Sequence, residues 1–496
     1  MRKAAFLIAV LLLNFLLCQS QGKKELLLSG QIRKLNGSTQ STADIDRIVT
    51  TLMKEANVPG FCISILNDDR VVYTQAYGLR DKEKMAPMDT ATILYGASFS
   101  KAVISYIAMQ LSQEGILDLD KQVWAYLSKP LPLYPNFNDL TDDDRWKLIT
   151  LRDCLRHTTG FPNWRWLNPK GNNALEIFFD PGARYAYSGE GIVLLQLAME
   201  EATGKKLEQL ASERVFGPMG MKNSSYVWHD QYESDLAFGY DSSGHFVKLK
   251  RRTAANGAGS LETTIADYSR FIEAVMQGKG LNDSMFRQMI SPQIAIKTKH
   301  QFPSLNTDTL EYPYQSIHLS YGLGWGLFEC PYGKAFFKEG HDDGWSHFNV
   351  NFPDKKISII LMSNSSLAES IFKELLERII GDVYTPWDWE NYQPFHPAPE
   401  AIVETAPTTP NTNLSEYSGI YAADSVQASI SLDNGVLYIE MAKGGLTKTP
   451  MNMDRPDFFS LKMAAIQFQF LRSPDGKIEK MIIQGGNEQH EFRKVK

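Results

Sequence analysis

Chemistry in this chain concentrates on Ser98 and Lys101, three residues apart, directly after Gly96-Ala97 and ahead of an apolar run from Ala102 to Leu111. Gly96 and Ala97 permit a tight turn. The run leaves almost no polar face, so a helix buried in the domain centre is expected from Ser98 to the stop at Gly115. Residues i and i+3 share a helix face, which brings the Lys101 amine within reach of the Ser98 hydroxyl. A serine hydroxyl is a weak nucleophile until a base takes its proton, and burial turns a lysine into such a base by disfavouring its ammonium form. The helix N-terminus adds free N–H groups and a partial positive charge suited to a developing oxyanion. Ser-x-x-Lys also occurs at Ser20–Lys23 and Ser370–Lys373. The first falls at the end of an apolar leader and the last lacks a glycine turn, so only Ser98 combines turn, hydroxyl, amine and buried helix.

Other polar residues stand at element ends. Thr150 to His157 reads as a short helix, and His157 as a helix-end histidine satisfied by backbone groups. Tyr187 lies on a turn before the apolar helix Ile192–Met199, where a buried tyrosine is ordinarily core. Trp164 and Trp166 belong to an aromatic loop that either lines a cleft or packs on the surface. The cluster His341, Asp342, Asp343 and His347 admits a metal-site reading.

The elements needed to position these groups follow the chain. Ile45–Ala56 reads as an amphipathic helix ended by Pro59-Gly60. Phe61–Leu66 and Val71–Tyr77 read as strands joined at Asn67-Asp68-Asp69, Ile357–Met362 as a buried strand, and Ile371–Ile380 as a terminal helix. After Trp389 the prolines 394, 397, 399, 407 and 410 mark a stiff linker. Short strands with hairpin turns at Asp433-Asn434-Gly435 and Pro474-Asp475-Gly476 follow. The expected organisation is a signal peptide over 1–20, a catalytic domain over 40–390, a Pro/Thr-rich linker over 391–412 and a small β-rich domain over 413–496.

Arg2 and Lys3 before the apolar run Ala4–Leu17 predict export to the periplasm or the exterior. No stable membrane span is expected once the leader is cut after Ser20 or Gly22. Leu17 before Cys18 is bulky, which favours ordinary cleavage over a lipid anchor. The remaining Cys62, Cys154 and Cys330 are too few and too far apart for a disulfide framework. A net charge of −6 gives no basic footprint, which argues against nucleic acid and leaves a small molecule or peptide as the partner.

In order, Pro59-Gly60, Ser98-Phe-Ser-Lys101, His157-Thr-Thr-Gly160, Tyr187-Ser-Gly189, Gly259-Ser-Leu261, Tyr321-Gly-Leu-Gly-Trp325 and Gly340-His341 resemble the serine β-lactamase-related hydrolases. That group includes class C β-lactamases, penicillin-binding carboxypeptidases, D-aminopeptidases and esterases. The resemblance spans about Ile45 to Ile380 and implies an α/β (α+β) fold: an antiparallel sheet flanked by helices plus an all-helical region. The tail resembles the all-β accessory domain often appended to these hydrolases. The resemblance further implies Ser98 as the acylated nucleophile, Lys101 as its base and Tyr187 as a proton relay. It puts His341 at the first position of Lys-Thr-Gly or His-x-Gly, and makes the N–H groups of Ser98 and Gly344 the oxyanion hole. Gly189, Asp343 and Trp345 would contact substrate, with no cofactor and no metal. Gly189 replaces the asparagine of Tyr-x-Asn and Asp343 the glycine of His-x-Gly. Both departures point to esters or peptide amides and away from β-lactams. The alternatives are a D-Ala-D-Ala carboxypeptidase or β-lactamase, or a non-catalytic sensor of the same fold.

Overall fold

Two strands that are buried at every position, β1 (Gly60–Asn67) and β9 (Ile357–Ser363), pair in the middle of the main sheet. Their side chains alternate between two layers, as the period of a strand demands. Phe61, Ile63 and Ile65 face the amphipathic helices α1 (Thr42–Glu55) and α6 (Glu369–Ile379), whose buried stripes complete that layer. Cys62, Leu66, Ile360 and Met362 face α2 (Phe99–Gln113) and α5 (Ile265–Met276) on the other side. The computed structural model describes residues 30–248, 250–305, 314–392, 413–423, 426–433, 435–441, 446–461, 464–473, 475–485 and 488–495. The expected leader, Cys18 and most of the expected linker lie outside these residues.

Seven more strands complete the sheet: β2 (Arg70–Asp81), β3 (Ala86–Pro87), β4 (Ile294–Ala295), β5 (Ser320–Tyr321), β6 (Gly326–Cys330), β7 (Gly333–Asp342) and β8 (Trp345–Phe352). Their order is β4-β5-β6-β7-β8-β9-β1-β2-β3, and each pair is antiparallel. Pairing of β6 with β7 ends at Phe337, whereas β7 stays paired with β8 to Asp342. From Lys338 onward one edge of β7 is therefore released from the ladder.

Helix α2 is buried from Phe99 to Leu111. Each large apolar side chain so buried contributes about 1.5–3 kcal/mol, which makes α2 the pillar of the helical layer. The helical region around it contains α3 (Leu151–Leu155), closed by a Thr150/Asp153 capping box, and α4 (Gly189–Thr203), capped by Ser188.

The chain divides into two units, Met1–Pro397 and Ala398–Lys496. In the second, nine strands among the described residues form one antiparallel sheet. Its two end strands, Leu446–Pro450 and Asn452–Arg455, are separated in sequence by Met451 alone. The sheet must therefore curl until its edges nearly meet. Tyr417, Tyr421, Phe459, Phe468, Phe470, Met481 and Phe492 fill this near-barrel. The cores of the two units share no residue. A chain ending at Thr405 should therefore stay soluble and unfold cooperatively on heating. Insolubility under conditions that keep the full chain in solution would make the barrel part of the folding unit.

Candidate active site

The turn that presents Ser98 is held from three sides. Gly96 N–H donates to Leu261 O at 2.7 Å, and a Cβ on Gly96 would come within 3.2 Å of that same oxygen. Ala97 sits at φ +45°, a strained conformation for a residue with a Cβ, worth about 1–3 kcal/mol. Ser100 Oγ locks it by donating to Ala97 O at 2.6 Å and accepting Leu261 N–H at 3.0 Å. His347 Nδ1 accepts Ser363 N–H at 3.3 Å, so Nε2 carries the proton and donates to Tyr95 O at 2.8 Å. Gly340 on β7 abuts the turn so closely that a Cβ would lie 3.0 Å from Gly96 O. The N–H groups of Phe99, Ser100 and Lys101 go to the carbonyls of residues 96, 97 and 98, and Ser98 N–H takes no part in that ladder.

Lys101 is 1% exposed, with Nζ 2.9 Å from Ser98 Oγ and 2.7 Å from Ala258 O. Burial, reinforced by the nearby Lys338 ammonium and opposed by Glu339, holds this amine well below the usual lysine range. Tyr187 is also buried, and its hydroxyl interacts with Ser98. Burial and the Glu339 charge push this phenol well above its usual range, so it stays protonated and serves as a donor. Ser98, Lys101 and Tyr187 thus come together.

Lys338 was not anticipated. It is 0% exposed on the released stretch of β7, where Nζ donates to Tyr187 OH at 3.0 Å and to Glu339 Oε1 at 2.7 Å. Strand alternation across an apolar segment is the only sequence signal at this position, and it does not distinguish a surface lysine from a buried one. His157 braces the tyrosine through the backbone, as a helix-end histidine should. Its carbonyl accepts Ala186 N–H at 2.8 Å and its Nδ1 accepts Ser188 N–H at 3.2 Å. Its ring lies 4.4 Å from the Tyr187 ring and 4.8 Å from Tyr321, and burial together with the charges of Lys101 and Lys338 keeps it neutral.

Other expected contacts differ. Gly344 N–H donates to Ser366 Oγ at 2.8 Å within the β7–β8 turn, so this hydrogen bond occupies the expected second oxyanion donor. Gly189 offers substrate no empty space: a Cβ there would meet Trp164 at 2.8 Å and Asn163 O at 2.9 Å. The Trp164 indole occupies the volume next to the departure from Tyr-x-Asn and stacks on Trp166 at 4.9 Å, forming the cleft wall. Trp345 is buried behind that cleft, edge-on to Tyr95, and not on its lining.

His341 and Asp343 do line the cleft. The half-exposed His341 ring is hydrogen-bonded to Glu369. Burial opposes its charge, but Glu369, Asp342 and Asp343 outweigh that and raise its pKa, so its positive charge comes already balanced. Both ring nitrogens of His347 serve the backbone, which removes it as a metal ligand. No metal-binding group of three or more His, Cys, Asp or Glu occurs among the described residues. Among the described residues, Cys62, Cys154 and Cys330 are free thiols.

The cleft encloses about 900 Å³. Glu339, His341, Asp342, Asp343, Glu369 and Glu390 make one acidic wall. Lys250 Nζ lies 4.0 Å from Asp342 Oδ2, so Asp342 engages this cation, and Arg252 lies over the Tyr95 ring at 3.8 Å.

Comparison with known proteins matches residues 45–380 to the beta-lactamase family. Penicillin-binding protein 4* of Bacillus subtilis (strain 168) is 22% identical over 463 residues, covering 85% of this chain and 92% of that protein. A D-aminopeptidase of Brucella anthropi is 25% identical over 337 residues, 65% of this chain and 59% of that protein. Among solved structures, the octameric penicillin-binding protein homologue from Pyrococcus abyssi covers 92% of this chain and 100% of its own. It has a TM-score of 0.56 and 19% identity. D-alanine carboxypeptidase AmpC from Burkholderia cenocepacia covers 68% of this chain and 98% of its own, with a TM-score of 0.54 and 19% identity.

The packing at Gly189 is directly testable. Gly189→Ala should destabilise the protein by about 1–3 kcal/mol through overpacking. Trp164→Ala in the same chain should recover only part of that loss, because Asn163 O remains in place. Equal stability of Gly189→Ala and wild type in denaturant titrations would show that the space is open.

Proposed function

The chain belongs to the beta-lactamase family, a family of serine hydrolases, and from that premise we propose that it cleaves esters or peptide amides through an acyl-enzyme on Ser98 and handles β-lactams poorly. The observation that carries this reading is the buried Lys101 amine, 2.9 Å from Ser98 Oγ and held below the usual lysine range. The Ser98 proton passes to Lys101 Nζ as Oγ bonds to the substrate carbonyl carbon. The oxyanion forms at the N-terminus of α2, where Ser98 N–H is available. Collapse breaks the bond to the leaving group. Tyr187, still protonated, gives that group its proton, and Lys101 passes the proton it took from Ser98 to the Tyr187 phenolate, which restores both groups. Water then attacks the ester, its proton takes the same route, and Ser98 is restored. Lys338 supports the transient charge on Tyr187 by donating to its oxygen.

The acidic wall supports the selectivity. A substrate carboxylate placed beside Asp343 meets like charge, and His341 offers little compensation because Glu369 already holds its charge. The same wall weighs against the D-Ala-D-Ala carboxypeptidase and β-lactamase alternatives. Export to the periplasm or exterior remains part of the proposal and rests on the apolar leader Ala4–Leu17. No helix among the described residues is long and apolar enough to cross a membrane.

Ser98→Ala should abolish both turnover of a p-nitrophenyl ester and labelling by a fluorophosphonate, and Tyr187→Phe should slow turnover by about 10²–10⁴-fold. Full activity in Ser98→Ala would end the acyl-enzyme reading, and a specificity constant for nitrocefin above that for the ester would end the selectivity argument. The base assignment has its own signature in pH. Activity requires unprotonated Lys101, so kcat/KM falls as pH drops through its lowered pKa. Lys338→Met removes a like charge and should move this acid limb to higher pH, whereas Glu339→Gln should move it to lower pH. A limb that stays fixed in both variants would assign the base elsewhere.

A further inference from the structure

Two carboxylates in the cleft wall lack the partners that buried charges need. Glu339 and Glu390 are each 4% exposed. Glu339 Oε1 accepts Lys338 Nζ at 2.7 Å and Gln301 Nε2 at 3.2 Å. Among the described residues, Glu339 Oε2 and both oxygens of Glu390 accept nothing. A buried carboxylate oxygen without a donor is costly, so three in one wall call for an explanation. Lys338 balances one of the two charges, which leaves the group one cation short. In the free protein, burial and the neighbouring Glu339 drive Glu390 towards its neutral, protonated form.

The location narrows the identity of the missing cation. Glu339 interacts with the Tyr187 hydroxyl, and that hydroxyl interacts with Ser98. A single phenol thus separates Glu339 from the nucleophile, and Glu390 lines the same cleft beside Glu339, so a group bonded close to the reacting carbonyl carbon can reach this pair. The Phe302 ring stands edge-on to Tyr187, 5.6 Å away, and adds an aromatic lining to the same corner of the cleft. Carboxylate oxygens beside aromatic rings suit a primary ammonium, which brings both the positive charge and three N–H donors.

We propose that Glu390 and Glu339 form a subsite for a primary ammonium on the acyl part of the substrate, so that the preferred substrates are amino-acyl amides or esters with a free amino group. This rests on the Ser98 acyl-enzyme reading. Binding would restore Glu390 to its carboxylate form, paired with the substrate cation. Acetylation of that amine would leave the carboxylates with nothing to bind.

The test uses the full chain and Ser98-dependent hydrolysis of p-nitrophenyl acetate, a neutral ester. Alaninamide and N-acetylalaninamide, each as both enantiomers, are measured as competitive inhibitors. The free amine should bind about 10–100-fold more tightly in the preferred enantiomer, as charge-assisted hydrogen bonds dictate. Glu390→Gln should bring that ratio close to one, and Glu390→Asp should leave an intermediate ratio. Equal inhibition by both compounds in wild type, or an undiminished ratio in Glu390→Gln, would overturn the subsite while leaving the acyl-enzyme reading intact. Ester hydrolysis that survives Ser98→Ala would instead overturn the reading beneath it. A purely structural Glu390 would show itself as a lowered Tm in Glu390→Gln with the inhibitor ratio unchanged, and that too would overturn the subsite.

Discussion

The desolvation of one amine governs the site. Lys101 lies on a helix buried from Phe99 to Leu111, and the cost of keeping an ammonium there is what suits it to act as a base beside Ser98. Everything around the turn serves to keep water out and the geometry fixed. The strained Ala97, the Ser100 bridge to Leu261, the His347 ring bonded to Tyr95 O and the close approach of Gly340 each remove a way for the turn to relax. Exposure of Lys101 to water would restore its ordinary charge and leave it protonated, unable to take the Ser98 proton, even with every residue still in place.

A second buried lysine makes this possible without a stray charge. Lys338 lies at 0% exposure, bonded to Glu339, and its positive field pushes Lys101 further towards the neutral amine. The same Nζ donates to the Tyr187 oxygen and holds the phenol beside Ser98. His157 fixes the tyrosine from behind through the backbone of Ala186 and Ser188. The proposed nucleophile, base and donor are thus set by contacts from α2, β7 and the loop before α4, three elements far apart in the chain.

Around that shared centre the cleft has its own character. Trp164 fills the space adjoining Gly189, so a family contact is replaced by an aromatic wall. The β7–β8 turn carries Asp342 and Asp343, and His341 is tied to Glu369, so this side of the cleft is acidic where a bare cation would attract carboxylates. These differences lie in the cleft walls and leave the Ser98–Lys101–Tyr187 contacts untouched.

Local pattern alone determined much of this protein. The glycine turn, the i to i+3 spacing of Ser98 and Lys101 and the apolar run behind them are properties of neighbouring residues, and they led to a buried helix with the two groups in contact. The buried strands β1 and β9, the amphipathic α1 and α6 and the hairpin-rich tail were legible for the same reason: their periodicity is written within a few residues. Tertiary structure alone decided what depends on residues far apart in the chain. Lys338 looks like any strand lysine until folding brings it beside Tyr187, 151 residues away. Gly344 looks like a free donor until Ser366 arrives, 22 residues later, to accept its N–H. Gly189 looks like a lost side chain until Trp164 is seen in the space beside it, and Glu390 looks like an ordinary acidic residue at the domain's end until its carboxylate is found buried beside Glu339. Spacing along a chain reports only which groups share a local face. Burial, charge balance and occupied volume are set by everything that packs against that face.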